Sequence, residues 1–329
     1  MNALSPLTER AMQGGEIAPL LPPLRGRISQ HAPLGPRSWF RVGGPAEVLV
    51  QPADAEDLAA FLAALPLEVP VLTIGAASNL IIRDGGIAGV VIRLARGFTD
   101  ITVEEDGLVA GAACLDMTIA ETAAEAGLAG LEFLAGIPGS LGGAVAMNAG
   151  AYDSDTAAVL DWAEIVTREG ALVRVENAKL RFGYRHSALP PGAVVVRARL
   201  RAIPAPRETV ASRIAEIRAA REASQPVRAR TGGSTFRNPD AVLSSKKAWA
   251  LIDEAGCRGL TLGGAQVSEK HCNFLLNTGA ATAADLESLG EEVRRRVRAA
   301  TGVQLDWEIK RIGRPSAAGR TAPGAGDPA

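Results

Sequence analysis

A chain of 329 residues with 47% hydrophobic residues carries enough apolar material for two or three domains. Its formal net charge of −1, with arginines scattered among acids, argues against a bulk binder of nucleic acid or membrane surfaces. Three widely spaced cysteines (Cys114, Cys257, Cys272) and three histidines (His31, His186, His271) form no metal-ligand pattern and read as a reduced, cytoplasmic protein without a metal.

The first residues lack the basic-then-apolar order of a signal peptide, and no apolar run reaches the length of a membrane span. Residues 1–36 read as an irregular N-terminal segment broken by Pro22, Pro23, Pro33 and Pro36, with Leu24 to Ile28 as a short piece packed on the body. A first α/β lobe spans 37–98. Glu47 to Val50 reads as a strand, and Asp54 with Asp57 as a capping-box-like helix start. Leu58, Phe61, Leu62 and Leu65 then recur at helical spacing. Strands follow at Val69–Ile74, Leu80–Ile82 and Gly89–Leu94.

A second lobe spans 99–203. Asp106-Gly107 predicts a hairpin turn, Asp116 to Gly127 a helix closed by glycine, and Glu169-Gly170 another hairpin. A third domain spans 204–313. Its helices are predicted near Glu208 to Ala223, over Ala248 to Gly256, and from the Thr282–Asp285 capping box to Gly302. Val303, Leu305, Trp307 and Ile309 alternate with Gln304, Asp306, Glu308 and Lys310, the pattern of a half-buried terminal strand. Residues 314–329 are Gly-, Ala- and Pro-rich and are predicted to be a disordered tail.

Two segments of very small residues stand out. The strand at 69–74 feeds Gly75-Ala76-Ala77-Ser78-Asn79, and a second run covers Gly136 to Ala151 with Pro138, Gly139, Ser140, Gly142, Gly143, Asn148 and Ala149. Residues without bulk let main chain approach an anion, and free N–H groups can cradle phosphate. Neither is the G-x-G-x-x-G fingerprint nor a P-loop. Tyr184-Arg185, Gly232-Gly233-Ser234 through Arg237-Asn238, and Gln266 are polar clusters that on their own read as surface turns. Ser244 to Lys247 matches S-x-x-K without the companion motifs of a penicillin-binding enzyme, and Ser234 sits in no G-x-S-x-G elbow.

Taken in order, Arg41-Val42-Gly43-Gly44-Pro45-Ala46, the Gly75–Leu80 turn and the Ile137–Ala151 run resemble the UDP-N-acetylenolpyruvoylglucosamine reductases, flavoenzymes of bacterial cell-wall synthesis. With the later clusters, the resemblance extends from about Trp39 to Gly313. It implies an α+β fold: a two-lobed FAD-binding domain of the vanillyl-alcohol-oxidase type and a C-terminal α/β substrate-binding domain. The compact third domain resembles the shorter type of the family, which lacks an inserted tyrosine-bearing loop. The resemblance implies non-covalent FAD on the two small-residue segments, since neither holds a histidine for covalent attachment, and NADPH as co-substrate. It implies a UDP-sugar substrate, and no nucleic acid, membrane or obligate protein partner. By the same resemblance Arg185, Ser234 and Glu308 are the catalytic residues, with Ser234 the proton donor. Tyr184, Arg237, Asn238 and Gln266 contact substrate, Arg237 standing where lysine is common. Another FAD-dependent oxidase on the same scaffold, or a colourless nucleotide-binding protein, are the competing readings; flavin colour, and which acceptor discharges the reduced flavin, separate them.

Overall fold

The computed structural model describes residues 17–316. The predicted tail therefore lies outside the described residues apart from 314–316, as do the first sixteen residues. The described residues form two compact units, one of 17–32, 47–78 and 89–228, the other of 33–46, 79–88 and 229–316. Compactness thus divides the chain elsewhere than at 98/99 and 203/204.

The first unit is built on two larger sheets. One is four-stranded, in the order Arg27–Pro33, Pro45–Gln51, Ile87–Ile92, Val71–Thr73. The segment expected to be irregular therefore contains a seven-residue strand, with proline at its last position, where a missing N–H does least harm. Helix α1 (Ala55–Ala64) buries Leu58, Phe61 and Leu62 against this sheet's core. Asp54 caps it, accepting the Asp57 N–H at 2.9 Å. Asp57 does not close the expected box: its carboxylate takes the N–H groups of Arg25, Gly26 and Ala53 at 2.8, 3.0 and 2.8 Å. These amides would otherwise be unpaired beside a buried acid, and they hold the carboxyl below its usual range against the opposing effect of burial.

The second sheet is antiparallel, in the order Leu172–Glu176, Leu160–Val166, Val194–Arg201, Gly107–Gly111, Ile101–Glu104. Both predicted hairpins are present. Helix α2 (Asp116–Ala126) ends on Gly127 at φ 73°, ψ 41°, the left-handed conformation that glycine adopts without a Cβ penalty. Helix α3 (Leu141–Met147) occupies the small-residue run, and α4 (Thr156–Val159) is one short turn. Helix α5 (Arg207–Ser224) was expected to open the third domain. Its buried face, Val210, Ile214 and Ile217, instead joins the core of this unit.

In the second unit, helix α6 (Ala248–Glu254) and helix α7 (Ala283–Thr301) pack on a small sheet ordered Thr261–Leu262, Ala265–Val267, Leu275–Asn277. The Thr282–Asp285 capping box forms as expected, and Gly302 ends α7 at φ 75°. Asp84 also accepts the N–H groups of Ala283 and Ala284, at 3.0 Å each. Two further expectations need correction. Leu80–Ile82 leaves the first unit's sheet and pairs in parallel with Lys310–Ile312. Regular strand at the C-terminal end covers only Lys310–Ile312, because residues 303–306 make no ladder and Trp307 meets Phe236 in one isolated bridge. The alternation survives in burial, with Leu305 and Ile309 inside and Gln304, Asp306 and Lys310 outside. Among the described residues no helix is long and apolar enough to cross a membrane.

Candidate active site

The first unit contains a hollow of about 170 Å³ lined by Gly75, Ala76, Ser140, Gly142 and Gly143 among others. Each glycine has its own reason to lack a side chain. A Cβ at Gly75 would lie 2.6 Å from the Ser140 hydroxyl, and one at Gly142 would press on Ala112 at 3.1 Å. Gly143 has no such neighbour; the nearest atom to its added Cβ is Ser140 Oγ at 3.9 Å, so the fold does not require glycine there. A bare position facing a hollow without a packing need is what close approach of a ligand demands. The volume, some five waters' worth, suits a diphosphate held by main chain. The residues present therefore fit the diphosphate of a bound FAD.

Five of the expected cofactor residues thus share one hollow. Ala77 is buried at φ 52°, a left-handed turn that redirects the loop, with Ser78 half-buried after it. Pro138 and Gly139 precede the hollow's Ser140, and the Gly139 carbonyl accepts the Asp116 N–H at 3.2 Å. A Cβ at Gly139 would lie 2.5 Å from Asp116 Oδ2. Asp116 is fully buried, and neither of its carboxyl oxygens has a hydrogen-bond partner among the described residues. Burial pushes its pKa up to about 8.

Asn148 and Ala149 lie at the other end of α3, a helix about 10 Å long by its rise. Asn148 caps it in the left-handed conformation at φ 42°. Its amide is already committed: Oδ1 accepts the Ala157 N–H at 2.9 Å, and Nδ2 donates to Asp155 Oδ2 at 3.1 Å and to the Gly183 carbonyl at 3.2 Å. Ala149 is likewise used in the main chain, between Ala144 and Thr156. The turn that presents Tyr184 and Arg185 is docked here. Gly183 and His186 exchange main-chain hydrogen bonds, the Ser187 hydroxyl donates to the Ala146 carbonyl at 3.0 Å, and Arg185 Nη2 donates to the Gly150 carbonyl at 3.3 Å. Ser187 thereby satisfies a carbonyl that the helix end leaves open. Tyr184 is 58% exposed, with the Arg185 guanidinium 5.2 Å from its ring centre.

Ser234, Arg237, Asn238, Gln266 and Glu308 belong to the second unit, as does Asn79. Gly232 packs under the Phe40 ring, where any side chain would collide, and Gly233 takes φ 79° with open space around it. This turn leaves Ser234 half-buried, its hydroxyl making no hydrogen bond among the described residues. The next residue is fully clamped. The Thr235 carbonyl accepts the Glu308 N–H at 2.8 Å, its own N–H donates to the Asn273 carbonyl at 2.8 Å, and its hydroxyl accepts the Leu275 N–H at 3.2 Å. Asn79 Nδ2 donates to the Glu308 carbonyl at 3.3 Å, so both main-chain groups of Glu308 are held. Arg237 is anchored by its N–H to the Asp306 carbonyl at 2.9 Å. Asn238 Oδ1 accepts the Ala248 N–H at 3.0 Å, capping α6, and Gln266 sits mid-strand between Thr261 and Leu276.

Asn273 is the residue that the sequence reading overlooked. It is buried, and its amide brackets Phe236, Oδ1 accepting that residue's N–H at 2.9 Å and Nδ2 donating to its carbonyl at 2.8 Å. The available signal was a lone amide in the apolar run Cys272 to Leu276, because a polar group at a core position must find partners.

Residues 46–176 match an FAD binding domain, and residues 225–312 match the UDP-N-acetylenolpyruvoylglucosamine reductase C-terminal domain. The UDP-N-acetylenolpyruvoylglucosamine reductase of Acidiphilium cryptum is 69% identical over 295 residues, covering 90% of this chain and 94% of the relative. That of Gluconobacter oxydans is 67% identical, covering 89% and 94%. The crystal structure of the UDP-N-acetylenolpyruvylglucosamine reductase of Thermus caldophilus superposes with a TM-score of 0.75 at 37% identity, covering 88% of this chain and all of that one. The chain belongs to the UDP-N-acetylenolpyruvoylglucosamine reductase family.

Proposed function

We propose that this chain reduces the enolpyruvyl group of UDP-N-acetylglucosamine enolpyruvate to give UDP-N-acetylmuramate, with NADPH as reductant, in peptidoglycan precursor synthesis. The observation that carries the reading is the bare hollow at Gly75, Gly142 and Gly143 in a chain that also holds the family's substrate domain. Bound FAD supplies the hydride relay between NADPH and the substrate. The main-chain N–H groups of Gly75, Ala76 and Gly143 hold its diphosphate, those of Leu141 and Gly142 being taken by the Cys114 and Ala112 carbonyls.

The reaction adds one hydride to the terminal CH₂ and one proton to the adjacent carbon, so that the C=C bond becomes C–C and NADPH becomes NADP⁺. As hydride arrives, negative charge builds on the substrate carboxylate as an enolate. Arg185 offers a planar, permanently charged donor fork to that carboxylate, and Tyr184 lies beside it. Ser234 gives its hydroxyl proton to the carbon next to the carboxylate. A serine hydroxyl is a weak acid, but an enolate is a strong base, and fixed placement raises the effective concentration of the donor. Glu308 works at the same charge, held by Thr235 and Asn79. Arg237, Asn238 and Gln266 contact the sugar nucleotide. NADPH and a UDP-sugar as reactants place the activity in the cytoplasm, with no nucleic acid, membrane surface or obligate protein partner involved.

The test is anaerobic and optical. The purified protein is yellow, NADPH bleaches the flavin band, and UDP-N-acetylglucosamine enolpyruvate restores it. A colourless protein overturns the reading; recovery by oxygen but not by the enolpyruvyl substrate favours an oxidase.

A further inference from the structure

We propose that Asn273 is a positioning residue: by bracketing Phe236 it fixes where the Ser234 hydroxyl stands relative to Glu308. The inference rests on the proton-donor reading of Ser234. The stretch Ser234–Phe236 lies in no regular sheet, so its main chain has no ladder to hold it. Two flanking segments take that role. On one side Glu308 and Ile309 donate to the Thr235 carbonyl at 2.8 and 3.4 Å, and Arg237 donates to the Asp306 carbonyl. On the other stands Asn273.

The side chain of Asn273 acts as an extra peptide group. Its amide offers one acceptor and one donor in the same plane, and Phe236 uses both. Its own carbonyl takes the Thr235 N–H. Three hydrogen bonds from one residue thus converge on the two residues after Ser234. Asn273 is fixed in turn: its N–H donates to His271 Nδ1 at 3.3 Å, and the His271 ring packs edge-on against Phe274 at 4.8 Å. Burial holds that imidazole below its usual pKa, in the neutral form that has a free acceptor nitrogen.

Without the bracket the Phe236 N–H and carbonyl are buried and unpaired. The stretch then relaxes toward other partners, and the residue ahead of it shifts. Proton transfer is sensitive to such shifts, with a misplacement of about 1 Å costing about 10²-fold. Hydride and charge chemistry at Arg185 is untouched, because that turn is anchored separately on α3.

The experiment compares Asn273→Ala, Asn273→Asp and Ser234→Ala, each as purified flavoprotein. Asn273→Asp keeps nearly the same volume but, when ionised, replaces the donor to the Phe236 carbonyl with a charged acceptor. In both Asn273 variants, flavin reduction by NADPH stays within about twofold of wild type. Reoxidation by the enolpyruvyl substrate slows about 10- to 100-fold at unchanged KM, with a larger solvent deuterium isotope effect as protonation becomes limiting. Amide hydrogen exchange at Phe236 accelerates without a change at Gly183. Reoxidation within twofold of wild type overturns the positioning role, as does a parallel loss of both half-reactions. Failure of both Asn273 variants to fold overturns it in favour of a purely structural residue. If Ser234→Ala reoxidises normally, the proton-donor reading itself falls; if only that variant is impaired, the reading stands and Asn273 is excluded.

Discussion

The main-chain N–H of Glu308 donates to the carbonyl of Thr235 at 2.8 Å, which ties the terminal segment to the residue that follows Ser234. Two side chains 74 positions apart in sequence are therefore carried on hydrogen-bonded main chain. In the proposed mechanism Ser234 needs no base of its own, because the substrate enolate is the stronger base.

Ser234→Ala is the direct consequence. The change removes one oxygen from a half-buried residue that makes no hydrogen bond among the described residues, so stability barely moves. Stopped-flow reduction by NADPH stays near wild type, whereas reoxidation by the enolpyruvyl substrate slows by roughly 10²–10⁴-fold. Equal loss in both half-reactions refutes the role.

Much of this arrangement was legible in the sequence because it is local. Helix α7 is announced by Thr282 and Asp285 at its start and Gly302 at its end, and all three act as read. The bareness of Gly75 and Gly142 to Gly143 was equally visible. What escaped reading is long-range pairing. Nothing near Leu80–Ile82 says that its partner is Lys310–Ile312, more than two hundred residues away, so the strand was legible but its partner was not. The face of α5 reads as amphipathic whichever core it meets. Asn79 was read as part of the small-residue turn that takes the cofactor; its amide also holds the Glu308 carbonyl, a partner that only folding brings near.

Gly143 separates ligand binding from packing. The space beside its Cα is open, and in a helix leucine is favoured over glycine by an amount approaching the ~0.8–1 kcal/mol that separates alanine from glycine. Gly143→Leu therefore leaves the apoprotein at least as stable as wild type while its side chain fills the hollow. The expected result is a folded, colourless protein whose FAD Kd, measured by flavin fluorescence quenching, rises at least 100-fold. Retained flavin at wild-type affinity shows that the diphosphate lies elsewhere.

The start of α7 is capped twice, and the two caps differ in strength. Thr282 satisfies one N–H, whereas Asp84 satisfies two with a carboxylate placed where the helix dipole favours negative charge. Thr282→Ala is expected to cost about 1 kcal/mol and Asp84→Ala about 2 kcal/mol or more, read from denaturant unfolding midpoints. The reverse ranking refutes the assignment of Asp84 as the main cap.

Asp116 makes stability depend on pH in an unusual direction. Its carboxyl is raised from the ordinary range to about 8 by burial, with no partner among the described residues to offset the loss of water. The folded chain therefore keeps a proton that the unfolded chain sheds near pH 4. Between about pH 4 and pH 8 the folded state binds more protons than the unfolded state, so this group's effect on stability worsens as pH rises and levels off above 8. At pH 7 the cost is on the order of 4 kcal/mol. Asn at this position matches the neutral carboxyl in shape and carries no titration. Asp116→Asn is expected to raise the thermal midpoint at pH 7 to 8 and to leave it unchanged near pH 4, so that the two melting curves converge in acid. A variant that is less stable than wild type at pH 8 shows instead that the ionised carboxylate is held by groups on the glycine loop, and that its proton is absent at neutral pH.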